Sequence, residues 1–267
     1  MTEHTRALLA EIAGTFLFIT IGAGAIVTAS ISAVPGTGLL AIALARGLAL
    51  AIAVSVFGAI SGGHFNPAVT FALAIAKKHP WPRVLTYWAA QLIGALLAGL
   101  VLRMFFEPYL AAATATHLGT PTVDRAVGAG LAIVIEAVLT LFLVWAVFGT
   151  AVSPDAPKIA GFGVGLITAA DMLIGWPLTG AAMNPALHFG PAVVSSHLDN
   201  WYVYWIGPLV GAAIGGWSYR YVFGPPEDRE PITLPTLPGG PSSFVRPGPA
   251  STAPAEPHPT DRTERLG

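Results

Sequence analysis

The chain has 267 residues, of which 54% are hydrophobic and 10% charged, with a formal net charge of −1 and no cysteine. Soluble domains carry roughly 25% charged residues, so this composition excludes an ordinary water-facing exterior, and the near-neutral balance excludes a nucleic-acid footprint. The absence of cysteine removes disulfides, thiolate nucleophiles and thiolate metal sites, which leaves an integral membrane protein.

Apolar stretches of about 20 residues, enough to cross a bilayer, run near 8–30, 38–59, 84–106, 127–151, 158–177 and 201–223. The opening MTEHTRALLAEIAG is a poor signal peptide, because Glu3 and Glu11 interrupt it, and it reads as the start of a retained first span. The second span carries Arg46 about eight residues from its outer end, roughly 12 Å deep at helical rise. An arginine there costs at least ~2.5–3.5 kcal/mol on insertion scales, so it faces the protein interior or a wet cavity rather than lipid. The rival reading is a side chain that snorkels to the outer headgroups, and Asp171 is the nearest candidate counter-charge. Glu11 and Glu136, one in the first span and one in the fourth, are ionisable residues at membrane depth and hence functional candidates.

Only three asparagines occur, and two of them open the same tripeptide: Asn66-Pro67-Ala68 and Asn184-Pro185-Ala186. Each precedes a run too short to span. Asparagine favours the N-cap and proline the first helical position, so each motif starts a half-helix inside the membrane, with Gly62, Gly63 and Gly180 easing the re-entrant backbone. The chain is thus two repeats of three spans, about 8–110 and 127–223, and an odd number of crossings inverts the second. Two half-helix N-termini then meet at the midplane, where their partial positive charge repels cations and protons. The Asn66 and Asn184 amides would donate to a passing oxygen.

Lysine and arginine bias, with Arg6, Lys77, Lys78, Arg83, Lys158 and Arg220 on one side against Arg103 and Arg125 on the other, places both termini in the cytoplasm. The localisation expected is the plasma membrane. Residues 224–267 form a proline-rich tail, expected to be disordered and solvated, with partner binding by its prolines as the alternative.

Residues 8–223 resemble the aquaporin (major intrinsic protein) family, in the paired Asn-Pro-Ala motifs, Glu11 and Glu136, YWAAQLIGA and NWYVYWIGPLVGAAIGG. SVFGAISGGHFNPAVTF and NPALHFGPAVVS are similar to the tonoplast intrinsic proteins. The resemblance implies an all-α membrane fold with six transmembrane helices and two re-entrant half-helices, a homotetramer of separate pores, and no cofactor. It gives Glu11 and Glu136 a loop-bracing role, with a proton relay as the alternative, and makes Gln91 structural. It carries the outer selectivity filter onto Arg46, Met172, Ala181 and Leu187; the family commonly has arginine where this chain has Leu187. His64 either borders the inner vestibule or packs as a hydrogen-bonded histidine, while His188 and Phe189 receive no role.

The expected function is passive permeation of water, with small neutral solutes such as urea, ammonia, hydrogen peroxide and glycerol as candidate further permeants. The motifs offer only amide and apolar side chains, which disfavours an ion-coupled transporter. A structural or scaffold protein with a poorly conducting pore is the remaining rival. No metal cluster or nucleophile–base spacing suggests an enzyme.

Overall fold

A computed structural model describes residues 1–31, 38–157, 159 and 161–225. Nine α-helices are present among them: α1 Glu3–Ile31, α2 Leu39–Ser61, α3 Pro67–Ile75, α4 Val84–Phe105, α5 Leu110–Ala115, α6 Gly128–Val147, α7 Phe162–Thr179, α8 Pro185–Ser195 and α9 Val203–Ser218. Five of the long helices have the length and apolarity to cross a membrane. The sixth, α9, continues into a wider π-turn, Tyr219–Phe223. The short pair α3 and α8 are the half-helices.

The first helix begins at Glu3, earlier than the apolar run, because its polar first turn lies outside the hydrophobic stretch. The fifth crossing lies at Phe162–Thr179 rather than 158–177 and runs through Pro177; it stops at Gly180, whose φ of 77° is left-handed. The fourth changes from α to π geometry at Phe148–Val152. The outer helix α5 was not anticipated, since it is too short to leave a periodic signal. Lys158 and the tail from 226 onward lie outside the described residues.

Along α1 the buried positions Ala7, Ala10, Glu11, Gly14, Phe18 and Gly22 recur at three- and four-residue spacing, one stripe of a helix. On α2 the residues Leu40, Leu44, Leu48, Ile52, Val56 and Ile60 point outward at steps of four. Both faces are apolar, so burial separates protein contact from lipid contact rather than apolar from polar.

The halves interlock. Half-helix α3 packs on α9 of the second half, and α8 packs on α4 of the first; α2 and α7 cross between the halves. Small residues permit this closeness: a Cβ added at Gly190 would strike the Ala95 carbonyl, and Gly47 and Gly165 lie each against the other's carbonyl.

Candidate functional site

Asn66 and Asn184 have extended backbones (φ −157° and −154°) and each caps the helix that follows it. Asn66 Oδ1 accepts from the Ala68 N–H at 2.8 Å, and Asn184 Oδ1 from the Ala186 N–H at 2.9 Å. Each Nδ2 then crosses to the opposite loop. Asn66 Nδ2 donates to the Met183 carbonyl at 2.8 Å, and Asn184 Nδ2 to the Phe65 carbonyl at 2.9 Å. An amide nitrogen has two hydrogens, so each asparagine keeps one for a visitor. Both residues line a cavity of about 50 Å³, which also touches His64, Ala182 and Met183. That volume holds roughly three or four waters.

The loops leading into the caps carry left-handed non-glycine residues, Phe65 (φ 47°), Ala181 (φ 47°) and Met183 (φ 52°), a conformation that persists only where surroundings impose it. Buried carboxylates impose it. Glu11 accepts from His64 N–H at 3.0 Å, Phe65 N–H at 2.7 Å and Ser61 Oγ at 2.7 Å. Glu136 accepts from Ala182 N–H at 3.0 Å, Met183 N–H at 2.7 Å and Thr179 Oγ at 2.7 Å. Tyr87 donates to the Ser61 carbonyl and Tyr204 to the Thr179 carbonyl. The repeat thus recurs bond by bond. With its N–H groups drawn to a carboxylate, each loop leaves a carbonyl to the opposite asparagine, Phe65 to Asn184 and Met183 to Asn66. Gln91 departs from the symmetry: its Nε2 donates to Glu11 and Thr70, whereas the equivalent Pro208 has no donor.

Arg46 is fully buried inside the protein rather than extended to its surface. Its Nη1 donates to Met172 Sδ at 2.8 Å, the Gly180 carbonyl at 3.1 Å and the Ala181 carbonyl at 2.9 Å. Three of the four positions carried over by spacing are thereby joined. Leu187, equally buried, makes no hydrogen bond to Arg46; its N–H approaches Asn184 Oδ1 at 3.4 Å. The expected Arg46–Asp171 pair does not form: Asp171 Oδ2 is buried without a partner, and Arg46 Nη1 is directed to Met172, Gly180 and Ala181 instead. Asp171 immediately precedes Met172 in sequence, but successive helical side chains diverge by about 100°.

His64 combines a cavity position with packing. It lines the cavity, and its Nδ1 lies 3.1 Å from Thr70 Oγ1 while its ring packs on Tyr87 and His79. Sequence reading missed Ser61, Thr179, Tyr87 and Tyr204. Their signal was available, because each pair sits at equal offsets from the two motifs or heads matching YW segments. Among the described residues no His, Cys, Asp or Glu group is disposed to hold a metal ion.

Spanning helices around two capped half-helices that meet at crossed asparagines define a membrane channel of inverted-repeat type. The chain belongs to the major intrinsic protein family, whose model matches residues 1–219. These proteins are channels rather than enzymes. Aquaporin TIP1-2 of Zea mays is 41% identical over 228 residues, covering 83% of this chain and 87% of its own length. Probable aquaporin TIP3-2 of Arabidopsis thaliana is 40% identical, with coverage of 86% and 88%. A solved structure, the aquaglyceroporin from Plasmodium falciparum, shares the fold with a TM-score of 0.75 at 22% identity, covering 82% of this chain and 97% of that one.

Proposed function

We propose that this chain is a passive channel for water, with small neutral solutes such as urea, ammonia, hydrogen peroxide and glycerol as the candidate further permeants. The crossed Asn66 and Asn184 amides carry the reading. A water accepting their free hydrogens, between two positive helix ends, cannot also accept from its neighbour in file, so a proton wire is interrupted while water moves. Glu11 and Glu136 brace the loops, His64 borders the inner vestibule, and Arg46, Met172, Ala181 and Leu187 form the outer filter. The aquaporin names of the relatives support water as substrate.

The channel domain is residues 1–223, with repeats at about 8–110 and 127–223. The protein works as a homotetramer, each subunit conducting alone, with both termini cytoplasmic. The plasma membrane is its proposed site, and the TIP-type relatives make an intracellular membrane the rival that fractionation decides. The burial of all four filter residues favours one second reading, a structural protein with a poorly conducting pore. Stopped-flow permeability of reconstituted protein toward water and these solutes separates the two. Water flux at the level of bare lipid overturns the channel reading.

A further inference from the structure

The two re-entrant loops treat their carbonyl groups differently. In the inner loop, no hydrogen bond from any described residue reaches the Gly62 or Gly63 carbonyl, and both residues line the cavity. Their equivalents in the outer loop are Gly180 and Ala181, and both carbonyls accept from Arg46 Nη1. The N–H groups of these stretches point away, that of Ala181 to Thr179 Oγ1 and that of Gly63 to Ser61 Oγ. The same backbone thus offers open acceptors on the inner side and acceptors already engaged by Arg46 on the outer side.

The rest of the outer constriction supplies no replacement. Met172 Sδ, a weak acceptor, is also taken by Arg46 Nη1, while the side chains of Leu187 and Ala181 are apolar. What stays unpartnered is donor capacity, since Arg46 Nε and Nη2 are buried with no bond. Its stem is packed under α1, where a Cβ added at Gly22 would come within 3.2 Å of Arg46 Cγ.

Resting on the channel reading above, we infer that Arg46 is the specificity-determining residue that makes the outer constriction poor in acceptors, by engaging the Gly180 and Ala181 carbonyls. A solute entering a narrow passage sheds hydration and must find substitute partners. Water has two hydrogens to satisfy and leaves the constriction within one step. Urea and glycerol carry several N–H or O–H donors spread over a longer body, and here those donors compete with Arg46 for the few acceptors. The constriction therefore passes water and rejects multi-donor solutes by chemistry as well as by width.

Chemistry and width separate in two variants. Arg46→Met retains a long side chain but has no donor, so it uncovers the carbonyls without emptying the space. Arg46→Ala does both. The measurement is urea and glycerol permeability relative to water in proteoliposomes, with water flux serving as the check that each variant is assembled. Both variants should raise the ratios by about tenfold or more, the scale set by one buried donor left unsatisfied. A rise in Arg46→Ala but not in Arg46→Met assigns exclusion to bulk and overturns the inference, as does a ratio unmoved in both. If Arg46→Ala fails to assemble, Arg46→Met decides alone. If Arg46→Met fails, Arg46→Leu, also without a donor and bulkier than alanine, takes its place, because Arg46→Ala by itself does not separate chemistry from bulk. Wild type without any water flux is a different failure, that of the channel reading.

Discussion

Replacing Glu136 by alanine strands a defined set of donors. Thr179 Oγ can rotate toward another acceptor, but the Ala182 and Met183 N–H groups, at 3.0 and 2.7 Å from the carboxylate, cannot turn. Their orientation is fixed by the left-handed residues Ala181 and Met183 and by the cap at Asn184. Each buried unsatisfied donor costs about 1–3 kcal/mol, so the pair costs about 2–6 kcal/mol. At about 2–4 °C per kcal/mol for a chain of this size, the apparent melting temperature in detergent should fall by roughly 4–24 °C. Glu136→Gln keeps an acceptor oxygen and should recover part of the loss. Glu11→Ala strands a matching pair, His64 and Phe65, and leaves Gln91 Nε2 with Thr70 alone. It should exceed Glu136→Ala by about 1 kcal/mol. The assay is thermal unfolding of purified protein, followed by circular dichroism at one heating rate because such unfolding is commonly irreversible. A Glu136→Ala shift below about 2 °C, on the same scale, with water flux intact would refute the bracing role.

Asn184→Asp keeps the cap oxygen but replaces the donor to the Phe65 carbonyl with a second acceptor; water flux should fall and cation leak rise, read by osmotic and ion-flux assays on one preparation. On the outer side His117 stacks on His197 with ring centroids 3.7 Å apart, and burial, then the His197 ring, lower the His117 pKa from its usual 6.5 against an opposing pull from Asp199. The unfolded chain therefore takes up the proton first, so this contribution is complete above about pH 6.5 and is lost as pH falls toward the depressed folded value. His117→Phe should flatten that slope in melting temperature between about pH 7.5 and 5.5, and an equal slope in both proteins rejects the assignment. Gly190→Ala drives a methyl into the Ala95 carbonyl at the α4–α8 crossing and should cost about 1–3 kcal/mol; unchanged unfolding would mean that the crossing yields.

The fold was legible because it rests on features that leave marks in one sequence. Six apolar runs, a repeated Asn-Pro-Ala and the Glu11/Glu136 pair fix spans, half-helices and inversion through length, capping and spacing alone. Boundaries were less legible where a single terminator decides them: Gly180 carries α7 through Pro177 to Thr179, and α6 ends in a π-turn without any breaker. At the site, spacing from the motifs found Arg46, Met172 and Ala181 because repeat registers are rigid. The choice of Asp171 as the partner of Arg46 failed because sequence adjacency on a helix says nothing about facing. That Arg46 would bind backbone carbonyls was illegible, since carbonyl direction depends on the Glu136 bonds that rotate the whole loop.

Water and proton permeability measured on the same proteoliposomes test the crossed-asparagine channel most directly. Water flux should exceed that of empty vesicles severalfold and rise with protein density with weak temperature dependence, while proton leak stays at the lipid value. Water flux at the lipid level, or proton leak that grows with protein density, would contradict it.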